Sequence, residues 1–199
     1  MSSAAQSDQP DARRRLLEEA ARILDEQGPA ALSARRLAAG AGTSTMGVYT
    51  HFGSMGALVD AVATEGFRRL IERVDAVEPT DDPAADLLAA AGAYRANALE
   101  NPHLYAVMFG SISVRALGGA GPDDAVAYAA FRQLVALVER AMDAGRLRRD
   151  DPGAVAAQWW SALHGYMVLE LAGMDQVVKD PEHHVLWQLM GNLLRALSD

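Results

Sequence analysis

Apolar residues recur along this chain with the helical period, and nowhere with the two-residue alternation of a strand. Leu16, Ala20, Ile23 and Leu24 fall at i, i+4, i+7 and i+8, while Arg14, Glu18, Arg22, Asp25 and Glu26 fill the rest of each turn. That spacing predicts an amphipathic helix from about Pro10 to Gln27, laced by charge pairs four residues apart and stopped by Gly28-Pro29. In Leu32-Ser33-Ala34-Arg35-Arg36-Leu37, Ser33 sits where a cap belongs, and Leu32 and Leu37 sit where a hydrophobic staple would close over it. The second helix is short, because Gly40-Ala41-Gly42 interrupts it, and Thr43 is expected to cap a third helix ending near Phe52. Gly53 and Ser54 mark the next stop and start.

From Met55 to about Val77 the positions Phe67, Leu70, Ile71 and Val74 mark a long fourth helix, closed by the polar run from Glu78 to Pro83. Further breaks stand at Asn101-Pro102, Gly118 to Pro122, Gly145 to Pro152 and Gly173 to Pro181. The expected fold is all-α with roughly nine helices. Its expected division is a flexible tail over 1–9, a small three-helix unit over 10–54, and a larger helical domain over 55–199, the helix 55–77 bridging the two.

Composition narrows the class. At 199 residues and 50% hydrophobic the chain can bury a real core, and its lack of cysteine excludes disulfides, thiolate metal sites and a cysteine nucleophile. No run of eighteen apolar residues suggests a membrane span, and MSSAAQSDQPDARRR lacks the apolar segment of a secretory signal, so the expected location is cytoplasmic. The net charge of −8 argues against non-specific coating of nucleic acid, which rests on many cations. That charge lies entirely beyond residue 55, since the first 55 residues balance six arginines against six acids.

Two short helices joined by a glycine-containing turn and packed on a preceding amphipathic helix form the arrangement whose second helix enters the DNA major groove. A tight helix-helix turn also occurs in plain helical bundles, so the pattern alone leaves an interaction module open. The residues go further. RRRLLEEAARILDEQGPAALSARRLAAGAGTSTMGVYTHFGSMGALVDA, residues 13–61, resembles the N-terminal domain of tetracycline-repressor-type (TetR family) regulators in its LLEEAARIL helix, Gly28, LSARRLAAGAGTS, and VYTHFGS followed by Leu58.

The resemblance implies a DNA-binding surface of Ser33, Arg35, Thr43, Ser44, Thr45, Met46, Gly47, Tyr49, Thr50 and His51. Ser33 and Thr43 would set helix-start amides and hydroxyls against phosphates, or serve as plain caps. Arg35 would reach phosphate or a guanine edge, or stand as a solvated surface arginine. On the third helix small side chains admit the backbone to base edges, and Thr or Met can touch a thymine methyl. Gly47 is explained by close approach to DNA or by tight helix packing. Tyr49 and His51 occupy positions used against backbone phosphates, whereas Phe52, Val48, Leu37, Ala38 and Leu58 read as core. One position departs from the family: Met55 stands where a lysine often follows the serine opening helix four. The missing phosphate contact implies modest affinity per monomer and strong dependence on dimerisation across two half-sites.

Trp160-Ser-Ala-Leu-His164-Gly165 continuing to Gly173, with Asn101-Pro102-His103-Leu-Tyr105 and Met108-Phe109-Gly110, resembles the C-terminal domain of one branch of the same family. It implies an effector cavity, for which Tyr94, His103, Tyr105, Met108, Phe109, Phe131, Trp159, Leu163 and Met167 are the candidates, each of which is otherwise ordinary core. It further implies a homodimer through the last two long helices, about Gly153 to Leu171 and Pro181 to Leu197. Leu186, Leu189, Met190, Leu193, Leu194 and Leu197 give the last helix an apolar stripe that suits a four-helix interface or packs within one subunit.

Metal and enzyme chemistry find little footing. His183 and His184 are adjacent and cannot share a helical face, no HExxH spacing exists, and no nucleophile-elbow pattern is present. The expected protein is no enzyme and takes no cofactor and no metal. Its expected partners are a double-stranded DNA operator, a second copy of itself and a small, largely apolar effector. Repression with release by that effector is what the resemblance implies.

Overall fold

The computed structural model describes residues 4–109 and 123–198 of the chain. The described residues form nine α-helices and no strand: α1 (Ala4–Gln27), α2 (Ala34–Gly40), α3 (Thr45–Phe52), α4 (Met55–Asp75), α5 (Pro83–Glu100), α6 (Pro102–Met108), α7 (Asp124–Asp143), α8 (Pro152–Leu171) and α9 (Gln188–Ser198). A short 3-10 turn, Pro29–Ala31, follows α1, and a π-helical segment, Glu182–Trp187, leads into α9. The break expected at Gly118 to Pro122, and Gly110 of the 108–110 motif, lie outside the described residues.

Helix α1 begins at Ala4 rather than near Pro10, and so takes in most of the segment expected as a flexible tail. Ala4, Ala5 and Gln6 are strong helix formers, and Pro10 withholds one amide without ending the run. The chain divides by packing into one unit of residues 1–68 and 101–127 and another of 69–100 and 128–199. This differs from the division expected at 54/55. The boundary falls inside α4, and α6 belongs with the N-terminal helices.

In the first unit, Leu16, Ala20, Ile23 and Leu24 of α1 are buried as their spacing predicts, together with Leu37 and Ala38 of α2, Val48 and Phe52 of α3, and Leu58, Val59, Val62 and Ala63 of α4. Helix α6 packs on α1. Gly66 shows why α6 also closes on α4: a β-carbon there would stand 2.6 Å from the side chain of Met108. Leu104, Tyr105, Val107 and Met108 are buried by that approach, and the Phe67 and Phe109 rings meet edge-on with centroids 5.3 Å apart.

The second unit is built on α8, which packs against α5 and α9. Asp151 caps α8 by accepting from the Gly153 amide, and Pro152 occupies its first turn, where a missing N–H costs nothing. Trp159, Leu163, Tyr166 and Met167 of α8 are buried with Leu87, Ala91 and Tyr94 of α5. Of the apolar stripe on the last helix, Leu186, Met190 and Leu197 are buried within the subunit, while Leu189 is exposed. Leu193 and Leu194 of the same stripe are half-buried. The amide of Arg148 donates to the Leu197 carbonyl at 2.8 Å and ties the α7–α8 loop to the chain's last turn.

Candidate nucleic-acid interface

Three serines set the three helix starts around the turn. Ser33 accepts from the Arg36 amide at 3.3 Å, Ser44 from the Gly47 amide at 3.0 Å and Ser54 from the Ala57 amide at 3.0 Å. Each satisfies one of the amides a helix start leaves without a partner. The cap of α3 is thus Ser44, not Thr43. Thr43 is still part of the turn, its own amide donating to the Ala38 carbonyl at 2.9 Å. Gly42 makes the turn with φ +65, a left-handed conformation that glycine adopts without a β-carbon penalty.

Beneath α3 the fixing contacts are apolar. Val48 and Phe52 are buried against the α2 side, where Leu37 and Ala38 lie, and the Arg13 guanidinium sits 5.1 Å over the Phe52 ring. A second short-range fit is Gly40, where a β-carbon would stand 2.0 Å from the Glu19 carboxylate of α1. The opposite face of α3 is bare: Thr45, Met46, Tyr49 and Thr50 are exposed, Met46 by 72% and Tyr49 by 43%. Ser33, Arg35 and Ser44 are exposed as well, whereas Thr43, Gly47 and His51 are half-buried. The expected surface therefore gathers on one side of α3 and on the first turn of α2. It offers hydroxyls, methyls, a phenol and one guanidinium, with no carboxylate, to whatever meets it.

The expected effector residues separate. His103, Tyr105, Met108 and Phe109 lie on or just after α6 in the first unit, and Tyr94, Phe131, Trp159, Leu163 and Met167 lie in the second. Tyr105, Met108, Trp159, Leu163 and Met167 are buried core. The expected Tyr94 makes its polar contacts with Trp160 and His164, one residue along from the expected Trp159 and Leu163. The Tyr94 hydroxyl lies 3.1 Å from His164 Nδ1, Trp160 Nε1 donates to that hydroxyl at 3.4 Å, and the Trp160 ring meets His164 at 5.3 Å and Phe131 at 6.4 Å. Burial holds the His164 pKa below its ordinary value, which keeps the ring neutral at neutral pH. The i, i+4 spacing of Trp160 and His164 was the signal in the sequence for that shared face.

Beside this cluster Arg95 of α5 makes a two-pronged contact with Glu170 of α8, at 3.0 and 2.6 Å, and reaches Glu182 at 3.1 Å. Glu182 in turn accepts from Trp187 Nε1 at 3.2 Å across the π-helical segment. Among the described residues no group of three or more His, Asp or Glu side chains is placed to hold a metal ion, and no helix is long and apolar enough to cross a membrane.

Residues 16–62 match the family described as bacterial regulatory proteins, tetR family, and residues 87–191 match the tetracyclin repressor-like C-terminal domain. An HTH-type transcriptional regulator of Mycobacterium tuberculosis is 32% identical over 172 residues, 84% of this chain and 74% of that protein. A protein of unknown function from Rhodococcus sp. RHA1 shares 30% identity with a TM-score of 0.79, over 94% of this chain and 96% of its own. PfmR, a TetR family transcriptional regulator from Thermus thermophilus, has the same fold at 24% identity and TM-score 0.63, covering 91% of this chain and 97% of its own.

Proposed function

We propose that this chain, which belongs to the tetR family of bacterial regulatory proteins, represses transcription as a homodimer on a palindromic operator and leaves it when a small, largely apolar effector binds. Proteins of this family are DNA-binding transcription regulators and not enzymes. The observation that carries the finer reading is the bare face of α3: a helix capped by Ser44 and held from below by Val48 and Phe52 leaves Thr45, Met46, Tyr49 and Thr50 to solvent. Met46, 72% exposed beside Thr45, Tyr49 and Thr50, gives that face the methyls and hydroxyls that suit major-groove contact.

Dimerisation is supported by α8, where the exposed Ala154, Gln158, Ser161, Gly165 and Val168, five of its six exposed positions with Leu169 the sixth, recur at alternating spacings of four and three and are, Gln158 apart, small or apolar. Such a seam allows a second helix to approach closely. The effector reading is supported by the Tyr94, Trp160, His164 and Phe131 cluster, where a few polar atoms stand among aromatic rings. Helix α4, whose residues belong to both units, is the element through which binding would bias the recognition helices. The effector acts only as far as its affinity differs between the two states, and a coupling of roughly 1 to 3 kcal/mol weakens DNA binding about 5- to 150-fold.

The test is selection of fragments from the source genome by the purified protein, first unfolded and refolded to strip small molecules, at one fixed salt concentration. The expected result is an enriched palindrome bound by a dimer, with binding lost in an Arg35→Ala, Tyr49→Ala variant that keeps its helicity. A folded, dimeric protein that enriches nothing overturns the reading.

A further inference from the structure

The recognition face of α3 is unusual in what it lacks. Residues 43–52, Thr-Ser-Thr-Met-Gly-Val-Tyr-Thr-His-Phe, contain no Arg, Lys, Asn, Gln, Asp or Glu. These are the side chains that discriminate bases by paired hydrogen bonds, arginine or lysine on guanine, asparagine or glutamine on adenine, and a carboxylate on cytosine. Arg35 and Arg36, the cations exposed on the neighbouring first turn of α2, stand outside that segment.

What α3 does present is methyl groups. Met46 ends in an S-methyl group and is the most exposed large apolar residue among the described residues of the first unit. Thr50, exposed one turn later, donates its hydroxyl to the Met46 carbonyl at 2.9 Å. Its single hydroxyl proton is thereby committed within the helix, and it has only its γ-methyl and an acceptor lone pair to offer a base. Positions 46 and 50 are four apart and share one face. Resting on the reading of α3 as the recognition helix, we propose that Met46 and Thr50 select operator half-sites by touching thymine C5-methyl groups, so that specificity is carried by methyl position and not by paired hydrogen bonds from α3.

The thymine methyl is the one apolar group that B-DNA displays in the major groove, and it marks T·A apart from the other pairs. Desolvating it against Met46 is favourable without any directional bond. A face of this kind reads where methyls stand along the groove and is indifferent to the hydrogen-bonding edge beneath them.

The experiment uses the selected operator and the full-length protein. Each thymine of a half-site is replaced in turn by deoxyuridine, which removes the methyl and keeps the pairing. At one or two positions the affinity is expected to fall about fourfold per half-site, the factor for one buried methyl group, and about fifteenfold when both halves are changed. Met46→Ala, a change at an exposed position, should bind thymine and deoxyuridine operators equally at its position, and Thr50→Ser should do so at the other. Replacing the critical T·A pair by C·G should weaken binding, and 5-methylcytosine·G should recover most of the loss. Deoxyuridine that is neutral at every position, or a sensitivity that survives both variants, overturns the proposal and leaves the regulator reading standing. Failure to enrich any operator overturns both together, so the two failures are told apart.

Discussion

The hydroxyl of Thr43 occupies the space that a β-carbon on Gly47 would take, 2.5 Å from where that carbon would stand. Gly47 therefore has a reason within the chain for lacking a side chain, independent of any DNA. The obstructing atom is the end of a mobile side chain, and alanine gains about 1 kcal/mol over glycine in a helix interior. Gly47→Ala is expected to unfold within about 0.5 kcal/mol of the parent, and Thr43→Ala combined with Gly47→Ala to gain about 1 kcal/mol. Urea unfolding decides it. A loss of about 2 kcal/mol or more in the single variant, the order of a strained core, would mean that Thr43 cannot move aside.

Ser44 separates capping from contact. Ser44→Ala removes the acceptor for the Gly47 amide and should cost about 0.5 to 2 kcal/mol. Ser44→Asp keeps an acceptor there and adds negative charge at a helix start, so stability should be retained. The same carboxylate would face phosphates on an operator. Operator binding should fall at least tenfold in Ser44→Asp while its unfolding midpoint stays at the parent value; unchanged binding would remove Ser44 from the interface.

Much of the N-terminal unit is legible in the sequence because its signals are local. The i, i+4, i+7 spacing from Leu16 to Leu24, the Ser33 cap and the Gly53-Ser54 boundary each depend on residues within one or two turns, and each appears in the structure. Where two adjacent residues have the same capability, local pattern does not choose between them. Thr43 and Ser44 both cap well, and what selects Ser44 is the turn's bond from the Thr43 amide to Ala38. Trp159 and Trp160 present the same ambiguity. Adjacent helical positions point about 100° apart, and the partner that decides between them, Tyr94, lies on another helix. The close approach of α6 to α4 rests on Gly66 and was hidden for the same reason.

Acid stability should report Asp86. This buried carboxylate on α5 accepts from the Thr80 hydroxyl at 2.7 Å and the Thr80 amide at 3.0 Å, and is paired with Arg140. The Thr80 hydroxyl, followed by the Thr80 amide and Arg140, outweighs burial and holds its pKa below the ordinary 3.8. A depressed carboxylate pKa contributes stability that is present above the unfolded value and lost as pH falls through the folded one. Asp86→Asn should therefore melt lower than the parent at pH 7, with the difference shrinking below about pH 4. A difference that stays constant from pH 7 to pH 2 would mean the carboxylate's charge contributes nothing.

Arg95 and Glu170 test how α5 is fastened to α8. Their side chains are only 17% and 12% exposed, so removing one partner strands a charge in the interior. Glu170→Ala should cost about 3 kcal/mol, near the lower end for a broken buried pair because Glu182 still reaches Arg95. Arg95→Met with Glu170→Leu should recover most of that loss, since apolar replacements of similar volume leave no charge behind. Arg95→Met and Glu170→Leu, made singly and together, form a double-mutant cycle read by denaturant unfolding. Costs that simply add would show that the two side chains are not coupled.

Tyr166 sits near that pair with its hydroxyl buried and without a hydrogen-bond partner among the described residues. A donor left unmade in the interior costs free energy that phenylalanine, of the same shape, does not carry. Tyr166→Phe should therefore be neutral or stabilising by about 1 kcal/mol, the reverse of the usual loss when a buried tyrosine hydroxyl is removed. Burial foremost, with Glu170 and Asp175 adding to it, pushes the phenol pKa up to about 12. A raised folded-state value favours the neutral phenol, so its contribution holds below the unfolded value of 10 and drains away as pH rises through 12. Between pH 10 and 12 the parent should lose stability faster than Tyr166→Phe. The two measurements bear on one atom in independent ways. If phenylalanine cost about 1 kcal/mol or more at pH 7, the hydroxyl would have a partner after all, such as an ordered water bridging it to Glu170 or Asp175.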